Sequence, residues 1–243
     1  MTAKIIAVAN QKGGTGKTTL AMTLSGTLGR RGHRVLVVDA DPQGSATRWA
    51  ASAPDSTPFP AAVSGLSAAG AKVHREVKKY VEDYDFIVID CPPAADSPVP
   101  MSALMIADLA LVPVIPSPPD LWAAVGIRQV IANVRESINE NLDARLVANM
   151  CQTNTEVARE ALEVMQDFGI PVAQTKLHHR TAYRQAAAFG GTVHALGSKA
   201  AGAIVEIDEF TDEVLALIAT SRVTAVATTI LTEETNHGPT VDA

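Results

Sequence analysis

A glycine-rich turn between an apolar run and a helical pattern constrains this chain more than any other feature. Residues 5–9 are apolar, residues 12–19 read KGGTGKTT, and a helix-like pattern begins near Thr18. A strand, a glycine turn and a helix N-terminus in this order direct several backbone N–H groups to one place, which suits phosphate oxygens. Glycine permits this because a side chain would hold the backbone away from the anion. The sequence therefore predicts a phosphate-binding loop.

The loop departs from the standard pattern at its start. The pattern G-x-x-x-x-G-K-[ST] requires glycine at position 11, where this chain has Gln11, and the chain adds a second lysine, Lys12. Lys17 is expected to reach the β- and γ-phosphates, and the Thr18 hydroxyl is expected to ligate Mg²⁺. Because Lys12 stands beside these glycines, we interpret it as a functional residue rather than an ordinary solvated lysine.

Composition and cysteine usage narrow the class of protein. With 243 residues, 47% hydrophobic and 19% charged, the chain fits one large α/β domain or two small ones. No apolar stretch approaches the roughly 20 residues that span a bilayer, and the N-terminus lacks a secretory pattern. Cys91 and Cys151 form no C-x-x-C pair, so we expect buried thiols in a reducing cytoplasm rather than a metal site.

The net charge of −6 is concentrated near the C-terminus. From residue 205 onward there are eight acidic side chains and one basic side chain, Arg222. The rest of the chain is therefore nearly neutral, and the overall acidity does not exclude nucleic-acid binding by a local basic patch.

Apolar runs alternate with helical patterns along most of the chain. This alternation predicts an α/β fold, a three-layer, doubly wound, mostly parallel sheet flanked by helices. The runs are continuously apolar, as expected for strands that are buried on both faces. The predicted strands are residues 5–9, 35–38, 86–89, 109–115, 146–150 and 171–173. The predicted helices are residues 18–31, 73–83, 121–138, 155–168, 182–188 and 206–219.

Two segments that interrupt the alternation of apolar runs and helical patterns predict the domain organisation. Residues 53–60 contain three prolines and are typical of a surface loop, and Gly32 is placed to end the first helix. The composition predicts one domain over residues 1–220 and a flexible C-terminal tail over residues 221–243.

Three aspartates follow two of the predicted strands. Asp39 and Asp41 come at the end of the second run, and Asp90 follows residues 86–89. Because open parallel sheets bind ligands at the carboxyl ends of their strands, we expect all three to converge on the phosphate loop. Asp90 is expected to hold Mg²⁺ through water. Asp39 and Asp41 are expected to approach one metal and one water, although a simple turn beginning at Asp41-Pro42 is the alternative.

These motifs closely resemble those of the ParA/MinD ATPases, which position DNA or other cargo in bacteria. The resemblance covers residues 3–219 and implies a P-loop NTPase fold, with ATP and Mg²⁺ as cofactors. It implies that Lys17 binds the β- and γ-phosphates, that Thr18 binds Mg²⁺ and that Thr19 lies near the α-phosphate. The backbone around the phosphates would come from Gly13, Gly14, Thr15 and Gly16. The matching segments are residues 11–19 (QKGGTGKTT), 39–44 (DADPQG), 90–93 (DCPP), 112–118 and 180–184.

The resemblance also implies catalysis across an ATP-dependent homodimer. Lys12 matches the family's signature lysine, which reaches the partner's phosphates and acts like an arginine finger. Asp41 would orient the attacking water, Asp39 would support the metal and the phosphate loop, and Asp90 would hold Mg²⁺. Asn149, at the end of a predicted strand, would contact adenine, whereas a purely structural role is the alternative for such an amide.

The implied partners are non-specific DNA and a ParB-like or adaptor protein that stimulates hydrolysis, with no membrane. The protein would be cytoplasmic and nucleoid-associated when ATP-bound, and its cargo, a plasmid, a chromosome or an organelle such as a carboxysome, stays open. Each implied DNA contact also fits an ordinary solvated side chain. These contacts are Arg159, Arg180, Arg184 and Lys199.

Three rival functions share the phosphate loop. A MinD-like membrane-associated ATPase would end in a basic amphipathic helix, whereas this C-terminal segment has one arginine and several acids. Nitrogenase-reductase-like proteins need cluster-binding cysteines, and biosynthetic ligases form the rest of this metabolic group. A nucleotide-binding scaffold without hydrolysis is disfavoured by the presence of Lys12, Lys17, Asp41 and Asp90.

Overall fold

One parallel sheet organises the computed structural model, which describes residues 2–93, 96–152 and 156–234, without the side chains of residues 156–158 and 221–234. Over these residues the sheet has six strands in the order β3-β2-β4-β1-β5-β6, and every pairing is parallel. The strands are β1 Lys4–Val8, β2 Val35–Asp39, β3 Ala62–Gly65, β4 Phe86–Asp90, β5 Leu109–Val114 and β6 Asp143–Ala148.

Helices cover both faces of this sheet. The helices are α1 Lys17–Arg30, α2 Ser45–Ala51, α3 Val73–Val77, α4 Val99–Leu104, α5 Pro118–Ala123, α6 Val125–Ser137, α7 Glu156–Gln166, α8 Thr181–Ala188 and α9 Ala201–Glu234. Short 3₁₀ segments occupy Ser67–Lys72, Lys78–Tyr80 and Val193–Ala200.

The core forms two apolar layers, one on each face of the sheet. Along β1, Ile5 and Ala7 belong to one layer, whereas Ile6 and Val8 belong to the other. Residues of α4 and α6 complete the first layer, and residues of α1 and α9 complete the second. Because neighbouring strand residues point to opposite faces, two buried faces require a continuous apolar run. The predicted three-layer α/β fold is confirmed.

The sixth strand differs from the prediction. Residues 171–173 form only a single bridge, between Leu146 and Val172, whereas β3 lies at the sheet edge beside β2. Pro171 lacks the N–H that a full ladder would need. The β3 residues are exposed or half-buried, so they lack the continuous apolar pattern on which the prediction relied.

Several helices also differ from their predicted bounds. The predicted helix over residues 121–138 is two helices, α5 and α6, which meet at Ala124. The first begins earlier than predicted, at Pro118, because Ser117 caps it. Residues 73–83 contain the short helix α3 and a 3₁₀ turn, and the short helices α2 and α4 were not predicted. Helix α9 is longer than residues 206–219 and enters the predicted tail. The division at residue 220 stays a prediction, and residues 235–243 lie outside the described residues.

The end of α1 follows the prediction for Gly32. The His33 N–H donates to the Leu28 carbonyl at 3.2 Å, and the Gly32 N–H donates to the Gly29 carbonyl at 3.0 Å. Gly32 has a φ of 90°, the left-handed conformation that this helix ending uses. The chain then enters β2, whose C-terminal end reaches the phosphate loop.

Candidate nucleotide-binding site

The carboxyl ends of three strands meet beneath the phosphate loop. Val8, the last residue of β1, pairs with Asp90 of β4, and Asp39 of β2 pairs with Asp90 from the other side. Helix α1 begins at Lys17, directly after the loop. The sheet order therefore brings two of the predicted aspartates to the loop, although they are far apart in the sequence.

Two glycines set the shape of the phosphate loop. Gly14 and Gly16 have φ values of 78° and 84°, in the left-handed region where glycine is favoured. A Cβ atom at Gly16 would lie 2.4 Å from Nδ2 of Asn149. This amide approaches the loop closely because it donates to the Thr15 carbonyl at 2.7 Å. Asn149 thus clamps the loop from just beyond the end of β6, and its predicted contact with adenine stays a prediction.

Lys17 lies beneath the loop with its ammonium largely shielded from solvent. Its Nζ donates to the Lys12 carbonyl at 2.9 Å. Burial lowers the pKa of Lys17, while the negative charges of Asp90 and Asp41 oppose that shift. A buried ammonium at the start of a helix, beside the backbone of a glycine-rich loop, is suited to bind phosphate oxygens.

Asp90 is a buried carboxylate at the end of β4. Within the described residues no donor meets full hydrogen-bond geometry at either of its oxygens, although the Thr18 hydroxyl lies nearby. Burial raises the pKa of Asp90 to about 7, and the nearby charges of Asp39 and Asp41 add to the shift, while the Thr18 hydroxyl and Lys17 oppose it. An unsatisfied buried carboxylate is costly, and a cation relieves this cost.

This observation fits the predicted Mg²⁺ site. Thr18 and Asp90 are the residues that would hold the ion, with Asp39 beside them. The described residues contain no cluster of three or more His, Cys, Asp or Glu side chains that could hold a metal. Mg²⁺ commonly takes its remaining ligands from phosphates and water, so two protein ligands are sufficient.

Asp39 and Asp41 have different surroundings. Oδ2 of Asp39 accepts hydrogen bonds from the N–H and the hydroxyl of Thr47, both at 2.8 Å, so Asp39 anchors the first turn of α2. Asp41 accepts from the Gln43 N–H at 2.8 Å, as expected for a turn, and its side chain also lines the cavity above the loop. Asp41 is therefore the better placed of the two to face a ligand.

An open cavity of about 550 Å³ extends from the phosphate loop. Helix α2 contributes Arg48 and Trp49 to its wall, and Met150, with a φ of 52°, contributes after β6. Sequence reasoning missed Arg48 and Trp49 because α2 is too short to show a helical period, although α2 follows the predicted aspartate motif directly. The lining residues are Gly14, Gly16, Lys17, Thr18, Thr19, Asp41, Ser45, Arg48, Trp49, Ser52, Pro93, Met150 and Ala187.

The second loop lysine contacts a different element. The Lys12 ammonium lies 2.7 Å from Oδ1 of Asp120, at the start of α5. Lys17 already fills the space beneath the loop. Nothing in the sequence pattern indicated Asp120, because its contact with Lys12 exists only in the folded chain.

The predicted DNA-binding residues lie on several elements. Arg159 on α7, Arg184 on α8 and Lys199 before α9 are exposed. Arg180 is half-buried, and its guanidinium donates to Glu206 on α9, with Nε at 3.0 Å from Oε1. A fixed ion pair gives Arg180 a structural role, whereas Nη1 of Arg159 lies 3.9 Å from Oε1 of Glu163 in an exposed pair on α7.

Both cysteines are buried, as predicted. Burial raises the pKa of Cys91 and raises the pKa of Cys151 to about 11. Such thiols pack in the core and are poor nucleophiles. Among the described residues, no helical segment combines the length and the hydropathy that crossing a bilayer requires.

Residues 6–193 match the family model of the CobQ/CobB/MinD/ParA nucleotide-binding domain. The chain belongs to this family. It is a nucleotide-binding ATPase of the ParA/MinD group, as the motifs implied. The match includes the phosphate loop and all three aspartates discussed above.

Two relatives cover most of the chain. Maintenance of carboxysome distribution protein A from Halothiobacillus neapolitanus is 36% identical over 210 residues, 86% of this chain and 95% of the relative. The chromosome-partitioning ATPase Soj from Thermus thermophilus is 30% identical over 77% of this chain and 86% of the relative.

Solved structures of the same fold hold adenine nucleotides. The ATP complex of Cyanothece McdA has a TM-score of 0.74 at 19% identity, covering 89% of this chain and 97% of that one. The septum site-determining protein MinD from Pyrococcus horikoshii, complexed with Mg-ADP, has a TM-score of 0.68 at 24% identity. The match covers 89% of this chain and 98% of the MinD chain. At these identities the likeness shows the fold. The predicted cofactors, ATP and Mg²⁺, agree with the ligands of these neighbours.

Proposed function

We propose that this chain is a positioning ATPase that dimerises on binding ATP, binds DNA without sequence preference and moves a cargo. A partner protein would stimulate hydrolysis. The observation that carries the proposal is the position of Lys12. Its backbone lies in the phosphate loop, but its ammonium lies against α5 and is partly exposed, while Lys17 occupies the loop itself. A lysine in this position is suited to serve a neighbouring subunit.

Each site residue has a role in this scheme. The loop N–H groups and Lys17 bind the β- and γ-phosphates, and Thr18 and Asp90 hold Mg²⁺. When bound, the ion neutralises charge on the phosphate oxygens. Asp41 orients the attacking water at the cavity wall. Lys12 of one subunit stabilises the charge that develops on the γ-phosphate of the other.

The DNA surface is proposed to consist of exposed basic residues in the later half of the chain. Arg159, Arg184 and Lys199 would contact phosphates, which requires no base recognition. Arg180 would act indirectly, because its guanidinium is bound to Glu206. The ATP-bound dimer would then associate with the nucleoid, and hydrolysis would release it.

The cargo is proposed to be a protein organelle of the carboxysome kind. This choice is supported by the 36% identity to the carboxysome distribution protein, compared with 30% to the chromosome-partitioning ATPase. Deleting the gene and imaging the labelled cargo tests the choice. Clustered organelles with normal chromosome segregation would support it, and failed chromosome segregation with evenly spaced organelles would contradict it.

The dimer is tested with variants that cannot complete hydrolysis. Asp41→Ala should form an ATP-dependent dimer in size-exclusion chromatography and should be retained on non-specific DNA. Adding Lys12→Ala to this variant should give monomers that still bind ATP but are no longer retained on DNA. Adding Lys72→Ala instead removes one exposed positive charge elsewhere and should leave the dimer intact. A normal dimer in the Lys12→Ala variant would contradict the proposed function.

A further inference from the structure

The Lys12–Asp120 ion pair is asymmetric in its exposure. The Lys12 side chain is 37% exposed, whereas the Asp120 side chain is only 9% exposed. Oδ1 of Asp120 lies 2.7 Å from the ammonium and accepts no hydrogen bond within the described chain. Lys12 is therefore the main source of compensating charge for a nearly buried oxygen. Removing that ammonium alone would leave the carboxylate poorly compensated.

Asp120 is held in place independently of Lys12. It lies in the first turn of α5, where its N–H donates to the Ser117 hydroxyl at 3.3 Å. The same hydroxyl donates to Oδ2 of Asp120 at 2.5 Å. Pro118 begins the helix and restricts its backbone further. The carboxylate thus stays at one point while its ammonium partner is free to leave.

The backbone of the phosphate loop near Lys12 is also fixed. Oδ1 of Asn10 accepts from the Lys12 N–H at 3.2 Å, and Nδ2 of Asn10 donates to the Pro113 carbonyl at 2.9 Å. Gln11 packs so closely on Gly126 that a Cβ atom there would lie 1.9 Å from its Oε1. With the backbone held on both sides, the Lys12 side chain is the part that can move.

We propose that Asp120 is a positioning residue for Lys12, which it holds on its own subunit until the ATP of a second subunit competes for the ammonium. This inference rests on the proposed function, in which Lys12 acts in trans. To reach a partner's γ-phosphate, Lys12 leaves a nearly buried carboxylate behind, and this cost opposes dimerisation. ATP offsets the cost through its γ-phosphate, which ADP lacks. Asp120 thereby weakens the dimer.

The test measures how tightly the ATP-bound dimer forms. In the Asp41→Ala background, sedimentation velocity gives the dimer dissociation constant for Asp120→Asn, which removes the charge and nearly preserves the shape. We expect a roughly tenfold tighter dimer, because each of the two subunits breaks one partly exposed ion pair and each pair contributes about a factor of three. Asp120→Glu, which keeps the charge, should stay close to the parent protein.

Ser117→Ala is the matched control for damage to helix α5. It removes the capping hydroxyl and leaves the Asp120 charge, so it should lower thermal stability without tightening the dimer. A purely structural role of Asp120 would make Asp120→Asn dimerise equally well or more weakly, and either result would overturn the inference. If Asp120→Asn folds poorly, Asp120→Ser retains a small polar group in the first turn and answers the same question.

The result is separable from that of the proposed function. If the parent protein dimerises with ATP through Lys12 but Asp120→Asn gives no tightening, only the role of Asp120 fails. If Lys12→Ala dimerises normally, the trans role itself fails. With ADP, both the parent and Asp120→Asn should stay monomeric, and an ADP-bound dimer of Asp120→Asn would contradict the competition between Asp120 and the γ-phosphate.

Discussion

Gly16 meets two constraints that no other residue type can satisfy together. Its φ of 84° disfavours any side chain, and a Cβ atom would lie 2.4 Å from Asn149. Gly14 has a similar φ of 78° but open space around its Cβ position. Gly14→Ala should therefore cost about 1–2 kcal/mol of unfolding free energy from backbone strain alone.

Gly16→Ala should cost roughly 2–4 kcal/mol, because the Asn149 amide must also leave the Thr15 carbonyl. Urea unfolding of the nucleotide-free variants measures both costs. Equal losses for Gly14→Ala and Gly16→Ala would contradict the close approach of Asn149 to the loop.

We expect the Asp90 carboxylate to lower the stability of the nucleotide-free protein and to be required for Mg²⁺-dependent ATP hydrolysis. Burial disfavours the ionised form of Asp90, and within the described residues no donor meets full hydrogen-bond geometry at its oxygens, so Asp90→Asn should stabilise the nucleotide-free protein by about 1–3 kcal/mol at pH 8. The same change should abolish Mg²⁺-dependent ATP hydrolysis, because the carboxylate that holds the ion is lost. Thermal unfolding and phosphate release measure the two effects. A destabilised Asp90→Asn variant would show that the carboxylate is satisfied without a cation.

Sequence reasoning identified the residues whose roles follow from a local pattern. Lys17 and Thr18 are defined by the glycines before them and the helix after them, so the motif suffices to name them. Asp120 and Arg48 acquire their positions only when the chain folds. Arg48 follows the aspartate motif of residues 39–44, but neither it nor Asp120 belongs to a pattern that names its contacts, which were found only in the structure.

At the scale of elements, the pair formed by α8 and α9 depends on one buried carboxylate. Glu206 on α9 accepts from Arg180 just before α8, and His178 donates its N–H to Glu206 at 3.2 Å. Arg180→Ala should lower the unfolding free energy by about 1 kcal/mol, a value that allows for solvent screening of the guanidinium. Arg184→Ala, an exposed change on the same helix, should leave stability unchanged.

Arg180→Ala and Arg184→Ala should also differ in their effects on DNA binding. If Arg184 contacts phosphate directly, Arg184→Ala should weaken DNA binding and reduce its dependence on salt. Arg180→Ala should weaken binding only as far as it disturbs α8. A fluorescence anisotropy titration at several salt concentrations measures both, and a larger loss for Arg180→Ala at unchanged stability would contradict the indirect role.

Glu206 also makes the stability of the contact between α8 and α9 depend on pH. Burial alone would raise the pKa of Glu206, but hydrogen bonds from Arg180 and His178 outweigh it and hold the pKa below its usual 4.5. A lowered pKa in the folded state contributes stability above pH 4.5 that is lost as the pH falls further. The stability difference between the parent and Glu206→Gln should therefore shrink below pH 4.5. A difference that is constant with pH would contradict the ion pair.

The sequence predicted the elements that show a clear period and missed those that do not. β1, β2, β4 and β5 are almost continuously apolar because both faces of the sheet are buried, and each of them was found. The apolar second half of β6 was found as well, although its first half contains Asp143 and Arg145. The edge strand β3 has four partly exposed residues, and α2, α4 and α5 have six or seven residues each, too few to show a helical repeat. Their positions depend on packing against the rest of the fold.

At the scale of the whole molecule, the proposed function requires a second subunit to complete each site. Lys17, Thr18 and Asp41 line the cavity, whereas the Lys12 ammonium lies against Asp120 of α5. The fold and the family could be predicted from three motifs, because those motifs lie at the edge where the strands end. Whether two subunits share their lysines depends on an assembly, and one chain's sequence pattern does not contain it.

Mixing two inactive variants tests the shared lysine most directly. Lys12→Ala retains Asp41 but lacks the lysine, whereas Asp41→Ala retains the lysine but cannot orient water. In a mixed dimer, the Lys12→Ala subunit keeps Asp41 and receives Lys12 from its partner, so one site is complete. We predict that each variant alone is inactive with ATP and that the mixture recovers hydrolysis. A mixture as inactive as its components would show that Lys12 acts within its own subunit and would contradict the account.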